Sequence, residues 1–149
     1  MKVISIKEPF ATLIMNGSKL IETRSWKTNY RGELYIHASG KSLAKEYLKN
    51  PYVLELIKDM DMNYGNIICK GNLVDCIYMD QKFLNEIKKN NQEYNLGLYE
   101  LGRYAWVFED IVPIIPIEAK GKLNIWNYED EGRIKTRSKM VIFDILLTL

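Results

Sequence analysis

Gly17-Ser18-Lys19-Leu20-Ile21-Glu22-Thr23-Arg24-Ser25-Trp26, continuing Lys27-Thr28-Asn29-Tyr30-Arg31-Gly32, is the most informative stretch of this chain. Leu20–Trp26 reads as a strand, and Asn29–Gly32 reads as a turn. Extended backbone puts Leu20, Glu22, Arg24 and Trp26 on one face, and Ile21, Thr23 and Ser25 on the other. Glu22 and Arg24 are then same-face neighbours within salt-bridge reach, and a guanidinium at that distance keeps the carboxylate ionised. A fold gains little from charges interleaved with aromatic rings. A pocket for a flat, partly anionic ligand uses both: cations answer phosphate, a ring answers a base, and a carboxylate accepts from an exocyclic amino group.

Around this stretch the pattern is that of short strands and helices. Lys2–Ile6 reads as a strand. Pro9 opens a helix whose apolar face is Phe10, Leu13 and Ile14, and Asn16-Gly17 stops it. Glu33–Ser39 alternates as a strand, with Leu34, Ile36 and Ala38 on one side and Tyr35, His37 and Ser39 on the other. Ser42 is a cap for a helix to about Lys49, which Pro51 interrupts before a second helix over 52–60. Ile67–Tyr78 is a long strand with Gly71 as a candidate bulge. Asp80 caps a helix to Lys89. Asn90–Gly102 reads as a loop and Tyr104–Val112 as a strand, and Pro113 and Pro116 bracket an extended edge segment. Val141–Leu149 is almost continuously apolar; strand and helix are not separable there by periodicity, and its leading Val, Ile and Phe favour strand.

The chain has 149 residues, 47% apolar and 27% charged, which suits one globular domain, 1–149. Its net charge is only +2, but residues 1–41 hold five Lys and two Arg against three Glu, a local balance of +4. Such a chain binds a nucleic acid locally rather than coating it. Cys69 and Cys76 are the only cysteines, expected on opposite faces of one strand as buried free thiols. With a single histidine they make no zinc site, so no metal and no cofactor is expected. The N-terminus carries no signal-like apolar stretch and no run reaches membrane-spanning length, so a cytoplasmic protein without a membrane partner is expected.

The pattern Gly17, Lys19, Glu22, Arg24 resembles the Gly-x-Lys-x-x-Glu-x-Arg signature of the ASCH domain family, within the PUA-like superfamily. The flanks extend the resemblance: Ser5 to Ala11, Ser25-Trp26, Tyr30-Arg31-Gly32, Ile36 to Ser39, Gly102 to Trp106, and Lys120-Gly121-Lys122 through Trp126. It covers about residues 1–126; 127–149 would be a C-terminal extension or last strand. It implies an α+β fold, a PUA-like small curved antiparallel β-barrel with flanking helices and a cleft beside the signature. It also implies binding of RNA or single-stranded DNA, or of a nucleotide.

Candidate contacts in that cleft are Gly17, Lys19, Glu22, Arg24, Trp26, Tyr30, Arg31, Ser39, Lys41 and Arg103. Lys19, Arg24 and Arg31 would hold phosphate or carbonyl groups. Glu22 would accept from a base, and Trp26 or Tyr30 would stack. Some relatives of the family are amidohydrolases of N4-acetylcytidine, and a ribonuclease activity has been attributed to another. In the amidohydrolases a threonine stands where this chain has Glu22, so their nucleophile is missing here. An enzymatic alternative, a modified-nucleoside hydrolase or a ribonuclease, would rest on Lys19 and Glu22. A catalytic lysine needs a depressed pKa, whereas a binding lysine can stay exposed and charged.

Blander readings hold elsewhere. Glu22–Arg24 alone would pass as a structural salt bridge. Trp106, amid Ala105, Val107 and Phe108, reads as core. His37 reads as a hydrogen-bonded wall, Lys88-Lys89 as a solvated helix face, and Ser39-Gly40-Lys41 as ordinary helix capping that can also meet an anion. Oligomeric state leaves no trace in the sequence.

Overall fold

The computed structural model of the chain describes residues 1–45 and 48–129. In chain order the elements are β1 (Lys2–Lys7), α1 (Phe10–Met15), β2 (Ile21–Arg24), β3 (Gly32–Ser39) and α2 (Pro51–Ile57). They continue with β4 (Asn66–Tyr78), α3 (Gln81–Ile87), α4 (Asn91–Asn95), β5 (Tyr104–Glu118) and β6 (Ile125–Asn127). The six strands form one sheet in the order β2-β5-β4-β3-β1-β6. Every neighbouring pair is antiparallel except β1 and β3, which run parallel with Ser5 opposite His37 and Lys7 opposite Ser39.

The expected barrel is a curled half-barrel, with β2 and β6 as its edges among the described residues. The curl has a local cause. The register between β4 and β5 shifts at three places, one of them across Gly71, and each shift bends and twists the strand that carries it. A Cβ at Gly71 would lie 3.2 Å from the Glu109 carbonyl oxygen and 2.5 Å from Ile111 Cδ1, so the close approach of the two strands favours glycine there.

The concave face holds the main core, with Ile4, Ile6, Leu13, Ile14, Leu34, Ile36, Trp106 and Phe108 among its members. α1 closes it by burying Phe10 through Ile14. The alternation read in 33–39 is present, but both of its sides are covered: Tyr35 packs with Val3, Ile67, Ile114 and Trp126 in a second cluster on the other face. A strand that is central in its sheet buries both faces, so its polar positions need partners.

Several local expectations change. No α-helix forms in the described part of 42–49, where the Ala44 amide is instead donated to the Glu8 carbonyl at 2.8 Å; Glu46 and Tyr47 lie outside the described residues. Pro51 begins α2 rather than interrupting a helix, with the Asn50 side chain accepting from the amides of Tyr52 and Val53. The helix ends at Ile57, not Met60. Within the expected 90–102 loop lies α4, capped by Asn90. Pro113 and Pro116 fall inside β5, in the stretch beyond Val107 that β2 does not cover. A proline is tolerated where one side of the strand has no ladder to serve. The 141–149 segment lies outside the described residues.

Candidate functional site

The end of α1 sets the geometry of the site. Gly17 adopts φ +86°, a conformation open to glycine at little cost, and the chain reverses so that the Lys19 amide donates back to the Leu13 carbonyl at 3.0 Å. This turns the Lys19 side chain inward, where it is 1% exposed. Its Nζ donates to the Leu96 carbonyl, lies 3.9 Å from Glu22 Oε1, and sits 5.2 Å from the centre of the Phe10 ring. Burial lowers the Lys19 pKa below its ordinary value of 10.5, and the carboxylates of Glu22 and Glu93 oppose that shift.

β2 then carries Glu22 and Arg24 on one face, as its pairing with Trp106 and Tyr104 of β5 requires. Glu22 Oε1 accepts from the Thr23 amide at 3.1 Å, and Oε2 lies 3.2 Å from Arg24 Nη2. The same Nη2 donates to the Ser5 carbonyl at 2.6 Å, so Arg24 ties the edge strand β2 across to β1. Arg24 keeps a 24% exposed side chain.

Behind Lys19, Glu93 of α4 accepts from the Leu20 amide through Oε1, while its buried Oε2 has no partner. Burial raises the Glu93 pKa above 4.5, against the pull of the Leu20 amide and Lys19. α4 thereby fixes the 96–98 turn, which supplies the carbonyl that Lys19 meets.

Lys19, Glu22, Arg24 and the 96–98 turn line a cleft of about 670 Å³. Its cations are Lys7, Lys19, Arg24, Arg103 and Lys122, and Glu22 is the only carboxylate among its lining residues. Trp26 supplies an aromatic wall, half-buried and held edge-on to Trp106 with ring centres 4.7 Å apart. Arg103 donates to the carbonyls of Leu98 and Thr23 at the rim. His37 and Ser5 form another wall. His37 Nε2 lies 2.7 Å from the Ala119 carbonyl, which only accepts, so Nε2 carries the proton. Nδ1 is paired with the Ser5 hydroxyl at 3.2 Å, and Ser5 Oγ accepts from Trp126 Nε1 at 3.1 Å. Both histidine nitrogens are thus committed.

Of the ten candidate contacts, Lys19, Glu22, Arg24, Trp26, Ser39 and Arg103 line this cleft, and Gly17, Tyr30, Arg31 and Lys41 do not. Gly17 shapes the turn before it. The Tyr30 hydroxyl donates to the Glu33 carbonyl, and Arg31 Nη1 donates to the carbonyls of Thr28 and Tyr30. Arg31 Nη2 lies 3.9 Å from Asp75. Both residues lock their own turn. Lys41 is exposed beyond β3. Sequence reasoning passed over Ser5, Lys7, the 96–98 turn, Gly121 and Lys122, which line the cleft, and Glu93 behind it. The alternation of Ser5 and Lys7 against Ile4 and Ile6 was a usable signal for the first two.

Two sequence observations converge on the same class. The model of the ASCH domain matches residues 4–121, a span that includes Gly17, Lys19, Glu22 and Arg24. The chain belongs to the ASCH domain family. It is similar to activating signal cointegrator 1 of Homo sapiens, 32% identical over 135 residues, and to that of Mus musculus, 27% identical over 135 residues. Each alignment covers 86% of this chain and 22% of the relative, so the chain spans about a fifth of the length of those proteins. Among solved structures it is similar to ASCH from Zymomonas mobilis, at 18% identity and a TM-score of 0.56, over 95% of this chain and 93% of that one. A variant of the same protein gives 17% identity and a TM-score of 0.54, over 95% and 94%. At these identities the likeness is one of fold.

Among the described residues no cluster of His, Cys, Asp and Glu could hold a metal ion, and no helix is long and apolar enough to cross a membrane. Cys69 and Cys76 are both free thiols.

Proposed function

We propose that this ASCH domain binds one unit of single-stranded nucleic acid, RNA or DNA, or a free nucleotide, in the cleft beside β2. One observation carries the reading: Lys19, Glu22 and Arg24 meet at the base of a 670 Å³ cleft whose lining holds five cations and one carboxylate. The protein as a whole has a net charge of only +2, so this concentration of positive charge is local. Pockets that hold small ligands run to about 300–1,000 Å³, and they carry a few polar groups against apolar walls. Glu22 offers acceptor lone pairs to a base amino group, Arg24 offers a fork of donors, and Trp26 offers a ring face. The resemblance of the signature and its flanks to the family points to the same ligand class.

The test is a titration of short single-stranded oligonucleotides into the protein at low and moderate salt. Saturable binding that weakens as salt rises supports the reading. Absence of binding to RNA, DNA and nucleotides alike would end it.

A second reading, a hydrolase on modified nucleosides, is favoured by one specific observation. Lys19 is fully buried and its pKa is lowered, the state an acid–base lysine needs. Against it, Glu22 stands where a nucleophile would be required, and the hydroxyl of Thr23 is engaged by the Leu98 amide at 3.1 Å. Incubation with N4-acetylcytidine and with short RNA separates the readings: turnover that disappears in Lys19→Ala would replace simple binding with catalysis.

A further inference from the structure

The cleft has two unlike halves. In the β2 half, the one lining carboxylate lies between two of the cations: Glu22 is 3.9 Å from Lys19 and 3.2 Å from Arg24. In the other half, the parallel pairing of β1 and β3 sets Ser5 beside His37 and Lys7 beside Ser39. Ile4, Ile6, Ile36 and Ala38 are sealed in the core, so these four alternate residues face the opposite way, into the cleft. Ser5 and His37 are used up in their mutual hydrogen bond and in those to Trp126 and Ala119. Among the described residues Lys7 and Ser39 have no such side-chain hydrogen bond, and Lys7 has no carboxylate partner.

A fifth group arrives from the segment before β6. Gly121 packs so closely on this wall that a Cβ would lie 2.8 Å from His37 Cε1 and 3.0 Å from Ser5 Oγ. That contact brings the following Lys122 to the same half of the cleft, exposed and 5.9 Å from the centre of the Trp126 ring. Lys122 also has no carboxylate partner among the described residues. Among the described residues, two ammonium groups without a carboxylate partner and a hydroxyl without a hydrogen-bond partner thus share one end of a cleft whose other end offers mixed donors and acceptors.

We propose that Lys7, Ser39 and Lys122 form a phosphate subsite, and that the cleft takes a phosphorylated nucleoside unit with its base toward Glu22 and its phosphate between the two lysines. This rests on the nucleotide-binding reading and adds to it the polarity of the ligand. A tetrahedral anion suits this end because ammonium groups approach it from any direction, whereas planar recognition of a base edge needs the fixed geometry found at Arg24 and Glu22.

The experiment compares the four ribonucleosides, their 5′- and 3′-monophosphates, and inorganic phosphate, by calorimetry on the wild type, Lys7→Gln, Lys122→Gln and the double variant. Both lysines are exposed, so melting temperatures should match the wild type and certify folding. The wild type should bind at least one monophosphate about tenfold or more tightly than its nucleoside, since each charged contact is worth roughly a factor of ten. That gap should close in the double variant through weaker monophosphate binding, and should narrow with salt. Nucleosides binding as well as monophosphates, or a gap that survives in the double variant, would overturn the subsite and leave the binding reading standing. Failure of every nucleoside and monophosphate to bind would overturn the subsite, and failure of short single-stranded RNA and DNA in the same calorimeter would overturn the binding reading with it.

Discussion

Arg24→Ala removes the residue that spans the cleft, and its consequences for stability and for binding separate cleanly. The variant loses the 2.6 Å hydrogen bond from Nη2 to the Ser5 carbonyl and the 3.2 Å ion pair with Glu22. A hydrogen bond to a charged group contributes about 1.5–3 kcal/mol. The ion pair adds little, because the Arg24 side chain is 24% exposed and screened by solvent, and Glu22 keeps Lys19 at 3.9 Å. A destabilisation of about 2 kcal/mol follows, or roughly 4–8 °C in Tm for a domain of this size. The fold therefore survives and the binding comparison is valid. If Arg24 faces a base, a short single-stranded oligonucleotide should bind roughly tenfold more weakly. The slope of log affinity against log salt should stay unchanged, whereas loss of a phosphate contact would flatten it by about 0.7. Fluorescence titration at several salt concentrations, beside thermal melts, measures all three quantities. Folded Arg24→Ala with wild-type affinity and slope would remove Arg24 from the site.

Glu93 sets a pH dependence. Its folded pKa is raised above 4.5, so it adds stability below the unfolded value that is lost as pH rises through the folded one. Urea melts from pH 4.5 upward should show Glu93→Gln gaining on the wild type as pH rises; a constant difference would contradict the assignment. Gly121→Ala forces a Cβ to 2.8 Å from His37, an overpacking that costs about 1–3 kcal/mol and should weaken ligand binding with it; an unchanged melt and affinity would refute the close packing of that wall. Burial pushes the Cys69 thiol up to about 12, so native protein at pH 8 should alkylate at the half-buried Cys76 and at Cys69 only after denaturation, as peptide mass spectrometry reads directly. Equal labelling of both in the native state would contradict the burial.

Most of the sheet is legible in local pattern. Alternation in 33–39 marks β3, Gly71 marks the bulge, and Asp80 marks the start of α3, because each reflects a constraint felt within a few residues. Lys19, Glu22 and Arg24 stand out for the same reason: charged groups occupy or adjoin a short strand that has no use for them. The remainder depends on contacts across the chain. The burial of Lys19 requires the Leu96 carbonyl, 77 residues away in sequence, and nothing near Lys19 foretells it. Glu93 looks like an ordinary polar residue until α4 brings it to the Leu20 amide. Tyr30 and Arg31 read as exposed ligands, but a turn has its own unpaired carbonyls and these side chains satisfy them. Lys7 and Ser39 became neighbours only through the parallel pairing of β1 and β3, which antiparallel strands joined by short turns would not produce.

Backbone amide shifts recorded while a short single-stranded RNA is added to isotope-labelled protein test the binding cleft most directly. The perturbed amides should cluster at 22–26, 96–98 and 121–124, three segments that line the cleft. Shifts confined to α3, or spread evenly without saturation, would show that the cleft beside β2 is not where nucleic acid binds.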